Sequence, residues 1–155
     1  MHSTIVITDT SCLIALTNIK TLHLLPELYK RVVITKEVCA EFIEPLPQWI
    51  EVREVANKRY QQLLENTLDK GEASAIALAM ELENVLLVVD ELKGRKEAER
   101  LGIKITGTLG VLFRMKQKEL LQEIKPYLEQ LQILGFRVAP AIIEKLLQES
   151  NEFRK

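Results

Sequence analysis

The sequence predicts an α/β domain of three layers, α/β/α, on a central parallel sheet of four or five short strands. Two observations carry this. Short β-branched runs alternate with helical stretches along the chain, the pattern of successive βαβ units. The run Val85-Leu86-Leu87-Val88-Val89 is apolar without interruption, as a parallel strand covered on both faces must be. A chain of 155 residues suits one core, and no linker divides it. Residues 1–155 therefore read as a single domain, with about 136–155 as a C-terminal helical extension.

The first run, Thr4-Ile5-Val6-Ile7, stops at Thr8-Asp9-Thr10-Ser11. Cys12 to Leu16 suits a buried helix, with Thr10 or Ser11 as its N-cap. Residues 21–29 hold four leucines around Pro26 and read as a short or kinked helix. Val32-Val33-Ile34 is the second strand. Thr35 caps a helix that would carry Val38, Phe42 and Ile43 on one side. Pro45-Leu46-Pro47 ends it, and the alternation in Trp49–Val55 suggests an edge strand. A polar helix follows from Lys58 to Leu68. Asp69-Lys70-Gly71-Glu72 breaks it and opens a helix whose small residues, Ala73 to Met80, suit close packing on a sheet. The apolar strand at 85–89 ends at Asp90, and a charged helix runs from Glu91 to about Leu101. Ile103-Lys104-Ile105 is the last strand, ending in Thr106-Gly107-Thr108. Helices over Leu109–Lys116, about 122–134 and 140–149 complete the chain.

Composition excludes several classes. Apolar residues are 47% and charged residues 28%, with a net charge of −1. This argues against a polybasic tail, disorder by composition and coating of nucleic acid by bulk charge. No apolar run approaches the roughly 20 residues that span a bilayer. The first residues lack the basic and long apolar regions of a signal peptide, so a cytoplasmic protein without membrane partners is expected. Cys12 and Cys39 form no CxxC and read as core residues in a reducing compartment. His2 and His23 lack metal-ligand spacing, which leaves little material for a zinc site or a nucleophile–histidine pair. No glycine-rich phosphate loop occurs.

What remains is carboxylate chemistry. Only three of the 22 acidic residues are aspartates, Asp9, Asp69 and Asp90. Asp9 and Asp90 stand at the carboxyl ends of strands, where open α/β sheets bind ligands. A helix N-cap would place aspartate there equally well. Glu41, between Ala40 and Phe42, falls at the border of a buried face, although a plain solvated glutamate fits it too. Glu72 opens the alanine-rich helix, where the helix dipole favours a carboxylate. Asp69 reads as an ordinary turn residue. Several carboxylates at one sheet end raise one another's pKa. A hard divalent cation, Mg²⁺ or Mn²⁺, relieves that repulsion and can act on a phosphoryl group.

In this order, five pieces of the chain resemble the PIN-domain family of metal-dependent ribonucleases. They are Ile7-Thr8-Asp9-Thr10-Ser11-Cys12-Leu13; Ile34 to Phe42 with Glu41; Gly71-Glu72-Ala73-Ser74-Ala75-Ile76; Val88-Val89-Asp90-Glu91 with Arg95 and Ala98; and Leu101 to Gly110. Together they span about residues 4–135. The tail, with Gly135-Phe136-Arg137, looks like that of a less studied branch of PIN-like proteins. The resemblance implies that Asp9, Glu41, Glu72 and Asp90 are the four acidic positions that hold one or two Mg²⁺ or Mn²⁺ ions and carry catalysis. Ser11 and Thr108 match supporting hydroxyls, and Glu91 stands where relatives often place a second aspartate. The third acid is Glu72 where many PIN domains have aspartate, a longer reach to the same ion. By the same resemblance the protein hydrolyses RNA phosphodiester bonds, as the toxin of a toxin–antitoxin pair, with an antitoxin protein as partner and as a homodimer.

Charge distribution fits a phosphate-bearing substrate. Between Glu91 and Lys118 eight basic residues face three acidic ones. Lys93, Arg95 and Lys96, on the helix after Asp90, are candidate RNA contacts. A solvated face with Glu–Lys pairs is the ordinary alternative. Aromatic residues are scarce, 5%, so no base-stacking platform is expected. Two other readings stand beside the ribonuclease. One is a catalytically weak or inactive PIN-fold module that binds protein or RNA, using apolar pairs such as Ile142-Ile143 and Leu146-Leu147. The other is an aspartyl-phosphate receiver, which the lack of a clear acidic pair disfavours.

Overall fold

A computed structural model of the chain describes residues 4–136, 140–149 and 152. Five strands, β1 (Ile5–Thr8), β2 (Arg31–Thr35), β3 (Ile50–Arg53), β4 (Val85–Val88) and β5 (Lys104–Thr106), form one sheet in the order β3-β2-β1-β4-β5. Every pairing is parallel, as the continuous apolar strand requires. Between the strands lie α1 (Thr10–Asn18), α2 (Leu25–Leu28), α3 (Lys36–Glu41), α4 (Lys58–Leu64), α5 (Lys70–Glu81) and α6 (Leu92–Arg100). After β5 come α7 (Thr108–Gln117), α8 (Lys125–Ile133) and α9 (Pro140–Glu149).

The period of two along each strand sorts the core into two faces. Val6, Val32, Ile34 and Val88 point into one cluster, with Leu13, Leu16, Leu112, Leu128 and Leu147. Ile7, Val33, Leu87 and Val89 point into the other, with Ala73, Ile76, Leu78 and Ala98. These are the two helical layers, one carrying α1, α7, α8 and α9, the other α4, α5 and α6. Helix α5 is buried at nine consecutive positions, Gly71 to Ala79. Its small side chains allow the close approach, and Ser74 Oγ ties it to Thr35 Oγ1 of β2 at 2.7 Å.

Several boundaries move from their expected places. Asp9 itself caps α1, accepting from the Cys12 amide, so Thr10 and Ser11 lie inside the first turn. Thr35 caps α3 as expected, but the helix stops at Glu41 because Phe42 turns extended. Phe42 remains buried while Ile43 is 97% exposed, so Ile43 does not share the buried face. Asp69 caps α5 through the Glu72 amide, which places Gly71 and Glu72 in its first turn. Among the described residues no helix is long and apolar enough to cross a membrane.

The tail packs back on the domain. Leu147 is buried, and Ile143 and Leu146 pack against the same cluster. The Glu152 carboxylate accepts from the amides of Ile124 and Lys125 at the start of α8 and from Lys116 Nζ of α7 at 2.7 Å. Arg137, part of the tail motif read in the sequence, His2 and part of the expected C-terminal extension lie outside the described residues.

Candidate metal centre

The strand order places a topological switch point between β1 and β4, because the chain leaves β1 towards β2 and later adds β4 on its other side. Open α/β sheets bind ligands at that point, beyond the carboxyl ends. Thr8 pairs with Val88 there and the Asp9 amide donates to the Val88 carbonyl, so Asp9, one residue past β1, and Asp90, two residues past β4, leave the same end of the sheet.

Both aspartates are fixed by hydrogen bonds before any ligand arrives. Asp9 is 3% exposed, and its Oδ1 accepts from the Cys12 amide at 3.0 Å. Asp90 Oδ1 accepts from the Thr108 amide at 3.0 Å; its Oδ2 accepts from Thr108 Oγ1 at 2.7 Å and from Cys12 Sγ at 3.0 Å. Thr108, the first residue of α7, is fully buried. Its amide and hydroxyl both face Asp90.

The other acids come from α3, α5 and α6. Glu72 is 7% exposed in the first turn of α5. Its carboxylate fits beside Gly94 of α6, where a Cβ would stand 3.5 Å from Oε2. Glu91 is the exposed N-cap of α6 and makes no capping hydrogen bond there. Oxygen atoms of Asp69, Glu72 and Glu91 lie within 4.8 Å of one another. Asp69 therefore joins the cluster, contrary to its reading as an ordinary turn residue. Its side chain caps α5 and so stands over the same end of the sheet. Glu41 approaches from the other side. It is exposed at the end of α3, accepts a hydrogen bond from Thr10 Oγ1, and lies where a Cβ on Gly71 would meet Oε1 at 2.6 Å.

Electrostatics bind most of these groups into one system. Burial pushes the Asp9 carboxyl up to about 6, against the pull of the Cys12 hydrogen bonds and with help from the charges of Asp90 and Asp69. Burial also lifts Glu72 to about 7, aided by Asp69, Glu91 and Asp9. Burial and the neighbouring Asp9 and Asp90 charges push the Cys12 thiol well above the usual range. Cys12 is thus a buried, protonated donor to Asp90, a role the sequence does not signal. Carboxylates held close and reluctant to ionise together fit a hard divalent cation, which takes oxygen ligands and removes their mutual repulsion.

The remaining candidates lie at the margins. Ser11 is exposed in the first turn of α1 and lines a cleft with Ile14, Asn18 and Phe136. Arg95 turns inward, with Nη1 donating to the Val89 carbonyl at 2.9 Å beside Gly107. Lys93 and Lys96 are exposed on the outer face of α6.

Fold and site together define a parallel α/β domain with a carboxylate cluster at its switch point. A family model for the PIN domain matches residues 5–152, and the chain belongs to that family. Its members are generally nucleases and typically use divalent metals. The match continues through the tail, beyond the pieces that carry the resemblance. No curated protein matches the chain as a relative.

Proposed function

We propose that this PIN-domain protein is a Mg²⁺- or Mn²⁺-dependent endoribonuclease. The observation that carries the reading is the grouping of Asp69, Glu72 and Glu91 oxygens within 4.8 Å of one another, with the charges of Asp69 and Asp90 acting on Asp9 and that of Asp9 on Glu72, and with the Asp9 and Glu72 carboxyls raised to about 6 and 7. Asp9, Glu72 and Asp90 would hold the ion, with Glu41, Glu91 and Asp69 around them. A bound Mg²⁺ or Mn²⁺ would polarise the phosphoryl oxygens and lower the pKa of an attacking water. The chain's own work is preorganisation. Thr108 and Cys12 hold Asp90 against rotation, and the Cys12 amide holds Asp9. Burial keeps the Asp9 and Glu72 oxygens poorly hydrated, so that a cation replaces little water and gains strong electrostatic contacts.

The same reading takes the protein as the toxin of a toxin–antitoxin pair, a cytoplasmic homodimer held in check by an antitoxin protein. What supports it is the order of the five sequence pieces described above. A cleavage assay tests the activity. Purified protein should cut single-stranded RNA in Mn²⁺, stop in EDTA, and fail as Asp9→Asn. Undiminished cleavage by Asp9→Asn would remove the assignment.

A further inference from the structure

We infer that the cleft between α6 and the α4–α5 connection is the track along which a single RNA strand enters the acidic centre. This rests on the nuclease reading and adds to it a binding site for the phosphodiester backbone. The cleft has a volume of about 500 Å³, with Asn66, Thr67 and Leu68 on one wall and Lys93, Lys96, Glu97 and Arg100 on the other, the Glu97 carboxylate being neutralised by Arg100. The three basic residues follow helical spacing, so they share one face of α6, while Gly94 and Ala98 face the core. From Lys93 to Arg100 the helix rises about 10 Å. That is the length of about three stacked nucleotides at roughly 3.4 Å each.

The same two chain segments build the cleft and the acids. Asp69 directly follows the Asn66–Leu68 wall, and Glu91 stands two residues before Lys93. Asp69 and Glu91 meet at Glu72, so the cleft opens onto the carboxylate cluster. The chain therefore changes from basic to acidic along one path. A diester backbone suits both parts, its phosphates paired with ammonium groups in the cleft and with a cation at the centre. Arg100 is already tied to Glu97 by paired hydrogen bonds on the same helix. Lys93 and Lys96 are exposed and make no ion pair among the described residues, which leaves them the phosphate contacts. Arg95 does not line this cleft, its Nη1 being directed to the Val89 carbonyl. The cleft has no aromatic wall, so binding should depend on salt and hardly on base identity.

The test is fluorescence anisotropy of the full chain with a labelled single-stranded oligoribonucleotide of mixed sequence, in EDTA and across a range of salt. Lys93→Gln with Lys96→Gln should weaken binding at low salt. It should also make the slope of log affinity against log salt shallower by about 1.4, at roughly 0.7 per lost phosphate contact on a single strand. The paired control Lys20→Gln with Lys30→Gln, at the amino end of the sheet, should leave both quantities unchanged. In the cleavage assay the first pair should raise KM with kcat nearly constant, the mark of lost uniform binding. Wild-type affinity and slope in the Lys93/Lys96 variant would overturn the inference, as would a wild-type protein that binds no RNA. A protein that binds through Lys93 and Lys96 yet never cleaves keeps the inference and removes only the nuclease reading.

Discussion

Thr108 holds both carboxylate oxygens of Asp90, its amide on Oδ1 at 3.0 Å and its hydroxyl on Oδ2 at 2.7 Å. The contact joins the start of α7 to the end of β4, and Cys12 of α1 adds a thiol donor on the same oxygen. Three elements thus fix one carboxylate. Removing the hydroxyl alone separates positioning from charge. Thr108→Val keeps the amide and the shape but leaves Oδ2 with the thiol. It should cost about 1–2 kcal/mol of stability and roughly 10–100-fold in Mn²⁺ affinity or activity. Thr108→Ser should restore most of both, as read by urea unfolding and Mn²⁺ titration.

Asp9 makes the metal-free protein pH-dependent. Its folded pKa of about 6 lies above the ordinary 3.8. Between those values the folded state holds the proton more tightly than the unfolded state. Stability therefore falls as pH rises from about 4 to about 7, and Glu72, raised to about 7, acts in the same direction. Asp9→Asn keeps an N-cap acceptor for the Cys12 amide and removes the charge. In EDTA at pH 8 it should raise the unfolding free energy by about 2 kcal/mol, with little gain at pH 4. Excess Mn²⁺ should stabilise the wild type and not the variant. Urea midpoints at the two pH values, with and without Mn²⁺, measure this.

Gly107 is the space that Asp90 occupies. A Cβ there would stand 2.5 Å from Asp90 Oδ1 and 3.1 Å from the Arg95 guanidinium. Its φ of −116° suits any residue, so the backbone has no objection to alanine. Gly107→Ala should fold, since the conflict is with side chains and not with backbone, yet it should displace Asp90 from its hydrogen bonds and lose at least about tenfold in activity. A lowered but still cooperative melting transition, with lost Mn²⁺-dependent cleavage, is the expected pair of results.

Glu152 clasps the tail. Burial raises its carboxyl, but the hydrogen bonds from Lys116, Ile124 and Lys125 outweigh this and hold it below the ordinary glutamate range. Its side chain is 4% exposed. Its contribution is present at neutral pH and is lost as pH falls below the usual glutamate pKa. Glu152→Gln should cost about 1–3 kcal/mol at pH 7 by weakening charge-assisted bonds. The difference from wild type should shrink towards pH 3, as measured by thermal unfolding across pH.

The strands and their parallel direction are legible because the runs are short, β-branched and separated by helical stretches, whereas their order in the sheet is not. Asp9 and Asp90 were legible because strand ends at a switch point are places a sequence can mark. Thr108 followed from its position after the last strand. Asp69 was not legible, because its part in the cluster depends on α5 starting over β1 and β4, a consequence of strand order that local sequence does not carry. Cys12 looks in sequence like any buried thiol, and only the β1–β4 pairing brings it to Asp90. Ile43 was misplaced because helical periodicity was carried past Phe42, where the backbone turns extended. Arg95 and Lys96 are neighbours in a basic run, yet helix rotation sends one guanidinium inward and one ammonium outward.

The carboxylate cluster beyond β1 and β4 is proposed as a divalent-cation site. Anomalous diffraction from a crystal soaked in Mn²⁺ tests this most directly. A peak within bonding distance of Asp9 and Asp90 carboxylate oxygens, lost in Asp9→Asn, is the predicted result. No peak at the end of β1 and β4, in crystals where the carboxylates are ionised and open to solvent, would contradict it.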